Sequence, residues 1–266
     1  MFSLLEVSLI AVLGLALGSF LNVVIYRWSE GLSVLRPVRS FCPRCKTELK
    51  WYHNIPVLSY VLLKGRCGFC QNPIPLTYPL VEVLTAVVGV AAYLKFKPWY
   101  GWATFLVFWV WLIILLVISF IDLRVKEIPD KLSFGLMLAG LTASLLGLNP
   151  LVGFEESVVG MLAGAGLLFL INEVYYLFAK RDGLGMGDFK LMAGIGAFLG
   201  YKSFYWVVLI ASFSGILAFF LAVLWYRLKG KSKDLSLKAE IPFGPFLALG
   251  AGVYTFFAEF FKTFLS

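Results

Sequence analysis

Two sets of side chains in this sequence have types and spacings that could do chemistry. The first is a pair of carboxylates at the edges of apolar runs. Asp122 directly follows "WLIILLVISFI", and Asp188 follows "GLGMG" and opens another apolar run. A carboxylate at such a place is unfavourable unless it has a partner or a task. Two carboxylates held close cannot both ionise easily; they share one proton and titrate in two steps. The ionised member can activate water while the protonated one polarises a peptide carbonyl. Gly183, Gly185 and Gly187 lead into Asp188. Glycines there permit φ > 0 and close backbone approach, so the loop could pair with an extended substrate, carry Asp188 to Asp122, and move. Helix caps, salt bridges to Lys126 or Lys190, and a transporter's proton relay remain open readings of the same two residues. Asp130 in "EIPDKLSF" reads as an N-cap or first-turn residue after Pro129, and Asp182 in "KRDG" as a turn residue beside Gly183.

The second set is four cysteines in one polar stretch, spaced Cys42-x2-Cys45, then 21 residues, then Cys67-x2-Cys70. Two such pairs match a tetrathiolate zinc site, and Pro43 and Gly68 suit the turns that aim two sulfurs at one metal. Facing a reducing cytoplasm, a disulfide pair is the weaker reading. Four thiolates close the coordination shell, so the metal is expected to staple a small lobe rather than to catalyse. His53 lies between the pairs and is the only histidine. It reads as a polar surface residue rather than a fifth ligand. A Ser-His-Asp triad could form only there, and no nucleophile elbow lies nearby.

The elements that must position these residues are apolar. The chain has 266 residues, 61% hydrophobic and 14% charged. Soluble domains carry about 25% charged residues, so the solvent here is lipid. The expected fold is an all-α integral membrane protein of about eight transmembrane helices with a small zinc-binding insert. The expected spans are 4–26, 79–94, 102–121, 132–148, 157–178, 189–199, 204–226 and 243–261, with the short sixth tilted or partly inside the bundle. The first run lacks a basic leader and a small-residue cleavage site, and reads as a retained helix. No internal sequence repeat is obvious. With the N-terminus outside, the inner segments 27–78, 122–131, 179–190 and 227–240 hold 19 of the 23 Lys and Arg. That asymmetry orients the chain and places both aspartates on the cytoplasmic face. The net charge of +8 therefore reports topology, and nucleic acid is not an expected partner.

The blocks "GSFLNVVIYR", the cysteine stretch, "YPLVEVLTA", "FIDLRVKEIPDKLS", "GLGMGDFKLMAGIGAFLG" and "PFGPFLALG" resemble, in order, the signature blocks of bacterial type IV prepilin peptidases. The resemblance covers nearly the whole chain. It implies a GxGD aspartic protease of the bacterial inner membrane, in which the outer N-terminus given by the charge count is periplasmic. Such an enzyme cuts the basic leader of prepilins and type II secretion pseudopilins at the cytoplasmic face. It then N-methylates the new N-terminal residue, usually Phe, with S-adenosylmethionine. The catalytic aspartates carry over to Asp122 and Asp188, and the metal ligands to Cys42, Cys45, Cys67 and Cys70. Leu184 and Met186 depart from the commoner form of the glycine block, which keeps its glycines and aspartate. On this reading residues 1–94, with the cysteine lobe at 27–78, form the methyltransferase part and residues 95–266 a six-helix peptidase. No Rossmann-type glycine fingerprint marks the methyl-donor site. Asn22, Tyr26, Arg27 and Glu82 are its candidate ligands, Glu82 reading equally well as an acid favoured by its helix N-terminus.

Overall fold

The computed structural model describes residues 3–37, 39–180, 183–229 and 242–263. Asp182 lies outside the described residues, as does most of the basic segment 227–240. The elements are α1 (Leu4–Ser29), a 3-10 turn (Trp51–Asn54), α2 (Leu58–Leu62), α3 (Thr77–Val125), α4 (Asp130–Leu145), α5 (Phe154–Ala179), α6 (Met186–Leu199), α7 (Ser203–Leu228) and α8 (Gly244–Lys262). Among the described residues the only β-structure is two isolated bridges. The helices α1, α3, α5, α7 and α8 are long and apolar enough to cross a bilayer, which makes this a multi-pass membrane protein.

The 49 residues of α3 are not one rod. At 1.5 Å per residue they would reach about 74 Å, against roughly 30 Å of hydrocarbon. Gly101 breaks the helix with φ 83° and ψ −178°, a conformation open to glycine. Pro98, which has no amide to donate, lies one turn earlier. Two of the expected spans are thus the two halves of α3. Two others fall short of a full crossing: α4 has 16 residues and α6 has 14.

The chain forms two compact units, Met1–Val117 and Ile118–Ser266. In the first, α1 and α3 run antiparallel and touch through glycines, the small-xxx-small device of membrane helices. A Cβ on Gly14 would lie 2.5 Å from Ala86 Cα, and one on Gly18 2.5 Å from Glu82 Cα. One step further, Asn22 Nδ2 donates to the Tyr78 carbonyl at 3.0 Å. At the opposite end Glu6 accepts from the Tyr93 hydroxyl and, at 3.1 Å, from Lys97 Nζ.

In the second unit α6 is the core. Every residue from Leu191 to Leu199 is buried. Gly160 and Gly164 of α5 and Gly140 of α4 let those helices reach its backbone; a Cβ on Gly160 would lie 2.3 Å from the Gly196 carbonyl oxygen. Helix ends leave carbonyls without helical partners. Ser157 Oγ donates to the Ala197 carbonyl, and Asn149 Nδ2 to that of Phe198 at 2.8 Å. The sixth apolar run, expected to be tilted or partly inside the bundle, is α6, whose residues from Leu191 to Leu199 are enclosed by its neighbours.

Candidate active site and metal centre

Asp122 sits in the last turn of α3 and is 4% exposed. Its Oδ2 accepts the Gly244 amide at 3.0 Å. Gly244 is the first residue of α8, where amides have no helical acceptor and the helix dipole favours an anion. A Cβ at 244 would stand 2.6 Å from Asp122 Oδ2 and 3.1 Å from Ile128 Cδ1. Glycine is required there by space alone.

Asp188 is the third residue of α6 and is 8% exposed. Its Oδ2 accepts the Gly185 amide at 3.1 Å, and its own amide donates to the Gly185 carbonyl at 3.0 Å. The side chain therefore caps its own helix in this state. It makes no ion pair with Lys190, which instead holds both oxygens of Asp130 at 2.8 and 2.9 Å. Asp130 itself is a first-turn residue, exposed, after Pro129 as N-cap. Asp122 and Asp188 are both buried in the same unit. Ile128 joins their surroundings. It touches Gly244 on one side, and on the other a Cβ at Gly187 would lie 2.9 Å from its Cβ.

Of the two uses expected of the loop glycines, close approach is the one seen. Gly185 has φ −79° and Gly187 lies within α6, so neither uses positive φ. Gly187 is needed for the approach to Ile128, and Gly183 for the approach to Tyr175, whose Cδ1 would be 2.8 Å from a Cβ. Gly185 meets only Asp188 Oδ2 at 3.6 Å, an ordinary contact. The loop is held by a residue the sequence reading passed over. Asn172, buried on the α5 stripe of Ser157, Gly160, Gly164 and Leu168, accepts with Oδ1 the amides of Gly183 at 2.8 Å and Leu184 at 3.0 Å. A lone asparagine inside the apolar run "LLFLINEVYYLF" was the available signal.

The four cysteines converge. Their sulfurs all lie within 4.8 Å of one another, and Cys42 and Cys70 Sγ are 4.0 Å apart. A tetrahedron with Zn–S bonds of about 2.3 Å has S···S edges of roughly 3.8 Å, so the set fits a tetrathiolate metal. The two turns are the same turn used twice. Cys42 and Cys67 each donate to the carbonyl five residues on, and accept from Lys46 and Gln71, both at φ 58°. The bridges Phe41–Glu48 and Arg66–Pro73 flank them alike. The Asn72 backbone and side-chain amides hold the Cys70 thiol down to about 6, while burial pushes Cys42 up to about 11. The first is a ready thiolate; the second needs a cation to ionise. His53 is not the surface residue expected. Its ring packs edgewise on Tyr52 and Phe69, and its Nδ1 is buried with no hydrogen-bond partner among the described residues.

The four methyl-donor candidates gather near the ends of α1 and α3 that adjoin the lobe, engaged with the chain itself. Arg27 is 3% exposed and donates to the carbonyls of Val34 at 2.8 Å and Arg39 at 3.2 Å. Tyr26 packs edgewise on Phe41. Asn22 holds Tyr78, and Glu82 Oε2 accepts the Val57 amide at 2.7 Å. Arg27 and Glu82 thus hold backbone groups of the adjoining lobe.

Fold and site together define a multi-pass helical membrane protein with a four-cysteine cluster in one unit and two buried carboxylates in the other. Comparison narrows the class. Residues 12–96 match the Bacterial Peptidase A24 N-terminal domain, and residues 106–220 the Type IV leader peptidase family. The chain is 37% identical over 273 residues to a prepilin leader peptidase/N-methyltransferase of Aeromonas hydrophila, covering 92% of this chain and 89% of that protein. It is 35% identical over 277 residues to the Legionella pneumophila protein of the same name, covering 94% and 91%. No solved structure matches. The chain belongs to the prepilin leader peptidase/N-methyltransferase family.

Proposed function

We propose that the chain is a bifunctional enzyme of the bacterial inner membrane. It removes the basic leader of prepilins and type II secretion pseudopilins at the cytoplasmic face, then methylates the new N-terminal amine. The N-terminus is periplasmic, as the 19-to-4 division of Lys and Arg favours. The observation that carries the reading is the pair Asp122 and Asp188, both buried in one unit and each held by a backbone amide.

The chemistry follows from the pair. One carboxylate takes a proton from water as its oxygen attacks the scissile carbonyl carbon. The other, protonated, gives its proton to the carbonyl oxygen. Collapse of the resulting diol breaks the C–N bond, the leaving amine takes up a proton, and leader acid and mature chain separate. Gly183, Gly185 and Gly187 receive the unwound substrate segment, with Asn172 setting the loop's position. Residues 95–266 carry this activity and residues 1–94 the methyl transfer. Zinc held by Cys42, Cys45, Cys67 and Cys70 cross-links the lobe. S-adenosylmethionine supplies the methyl group; no step is assigned to Asn22, Tyr26, Arg27 or Glu82.

Incubation of the protein in lipid vesicles with a prepilin and S-adenosylmethionine, followed by mass spectrometry, tests the reading. Loss of the leader mass and a further gain of one methyl are expected. An intact prepilin would overturn it.

A further inference from the structure

The insert between α1 and α3 reads as polar, yet part of it is tied to residues well inside the ends of these two apolar helices. Ser19 Oγ donates to the Asn54 carbonyl at 3.3 Å, and Glu82 accepts the Val57 amide. Ser19 is ten residues before the end of α1, and Glu82 five after the start of α3. The far limit of this helix pair is marked by the Glu6–Lys97 ion pair. From Lys97 back to Thr77 is 20 residues, about 30 Å, which matches the hydrocarbon thickness. Glu82 and Ser19 are then roughly 5–8 Å inside that slab, and so are Asn54 and Val57.

Irregular backbone at such depth must have its polar groups satisfied by protein. Here they are. Ser19 serves the Asn54 carbonyl and Glu82 the Val57 amide. The Ile55 carbonyl accepts the Ser59 amide at 3.1 Å and hydroxyl at 2.7 Å, and the Val57 carbonyl the Val61 amide at 3.0 Å. Pro56 has no amide to satisfy. The side chains turned outward are apolar: Leu58 is 51% exposed, Val61 62% and Leu62 71%. Residues suited to a headgroup layer bracket them, with Lys50, Trp51 and Tyr52 before and Lys64 after.

We propose that residues 55–62 form a re-entrant element in contact with lipid, with Leu58, Val61 and Leu62 among phospholipid acyl chains beside α1 and α3. On α1 and α3 themselves the apolar side chains of Leu13, Leu17 and Val83 are likewise exposed. The proposal gives buried Glu82 a task that needs no cofactor: it satisfies the amide at the start of the re-entrant turn.

The full-length protein in vesicles containing a phospholipid with a diazirine in its acyl chain provides the test. After photolysis, adducts are mapped by peptide mass spectrometry. Adducts on Leu58, Val61 or Leu62 are expected, together with reference adducts on Leu13 or Leu17. Reference adducts with none in residues 55–62 would overturn the proposal, as would a cross-link from this segment to a second copy of the chain. Glu82→Ala should deplete adducts at 58–62 relative to those on α1, and Glu82→Gln, which keeps an acceptor, should preserve them. Equal labelling in both variants would reject the tethering role.

Discussion

The cysteine lobe and the carboxylate site are built by opposite means. The lobe is local: each turn is closed by hydrogen bonds across five residues or fewer, and the same turn is made twice. The carboxylate site is assembled at long range. Asp122 is held by an amide 122 positions away, and the loop before Asp188 by Asn172 of another helix. A local site can be steadied by one ion, whereas a long-range site depends on the packing of every helix that meets there.

Removing the metal should give the largest effect, confined to the first region. Structural zinc is worth on the order of 10 kcal/mol, so a chelator or Cys42→Ser with Cys67→Ser should unfold the lobe. Hydrogen exchange in residues 40–75 should rise while α6 stays protected, and methyl transfer should fall more than leader cleavage. Bound zinc, assayed by elemental analysis, should vanish in the double variant.

Gly244→Ala probes the second region. The new Cβ would lie 2.6 Å from Asp122 Oδ2. Overpacking of this kind costs about 1–3 kcal/mol. The displaced carboxylate should slow cleavage on the order of 10²-fold, read from initial rates on prepilin.

How much of this was legible follows from the same contrast. The cysteine spacing and the apolar runs are local patterns: the four sulfurs converge as the spacing implies and the apolar runs are helical, although the runs do not make eight separate full-length spans. Gly244 is set by contact rather than by neighbours in sequence, so "PFGPF" marked a block without revealing that its amide holds Asp122. The loop glycines stand out for backbone freedom and for close approach; the close approach is what Gly187 and Gly183 show, and the partners Ile128 and Tyr175 leave no mark in the glycine block itself. The turn repeated in the lobe escaped notice because the two copies share little beyond their cysteines. The depth of residues 55–62 is carried by Ser19 and Glu82, far off in sequence.

Asn172→Ala should have a smaller effect. Two loop amides lose their acceptor, a loss of about 1–3 kcal/mol where such groups stay buried. Turnover should fall about tenfold with KM nearly unchanged, and Asn172→Asp, which keeps the acceptor, should recover most of it. Gly185→Ala should do least. Its nearest contact is an ordinary 3.6 Å, and the stability change should stay within roughly 1 kcal/mol by thermal melting.

The most direct measurement is the mass of prepilin after incubation with Asp122→Asn and with Asp188→Asn, each reconstituted in vesicles beside the unaltered protein. The account predicts complete leader removal by the unaltered protein and an intact prepilin from both variants, with α6 still protected from hydrogen exchange. Leader removal by either folded variant would contradict the shared role of the two carboxylates.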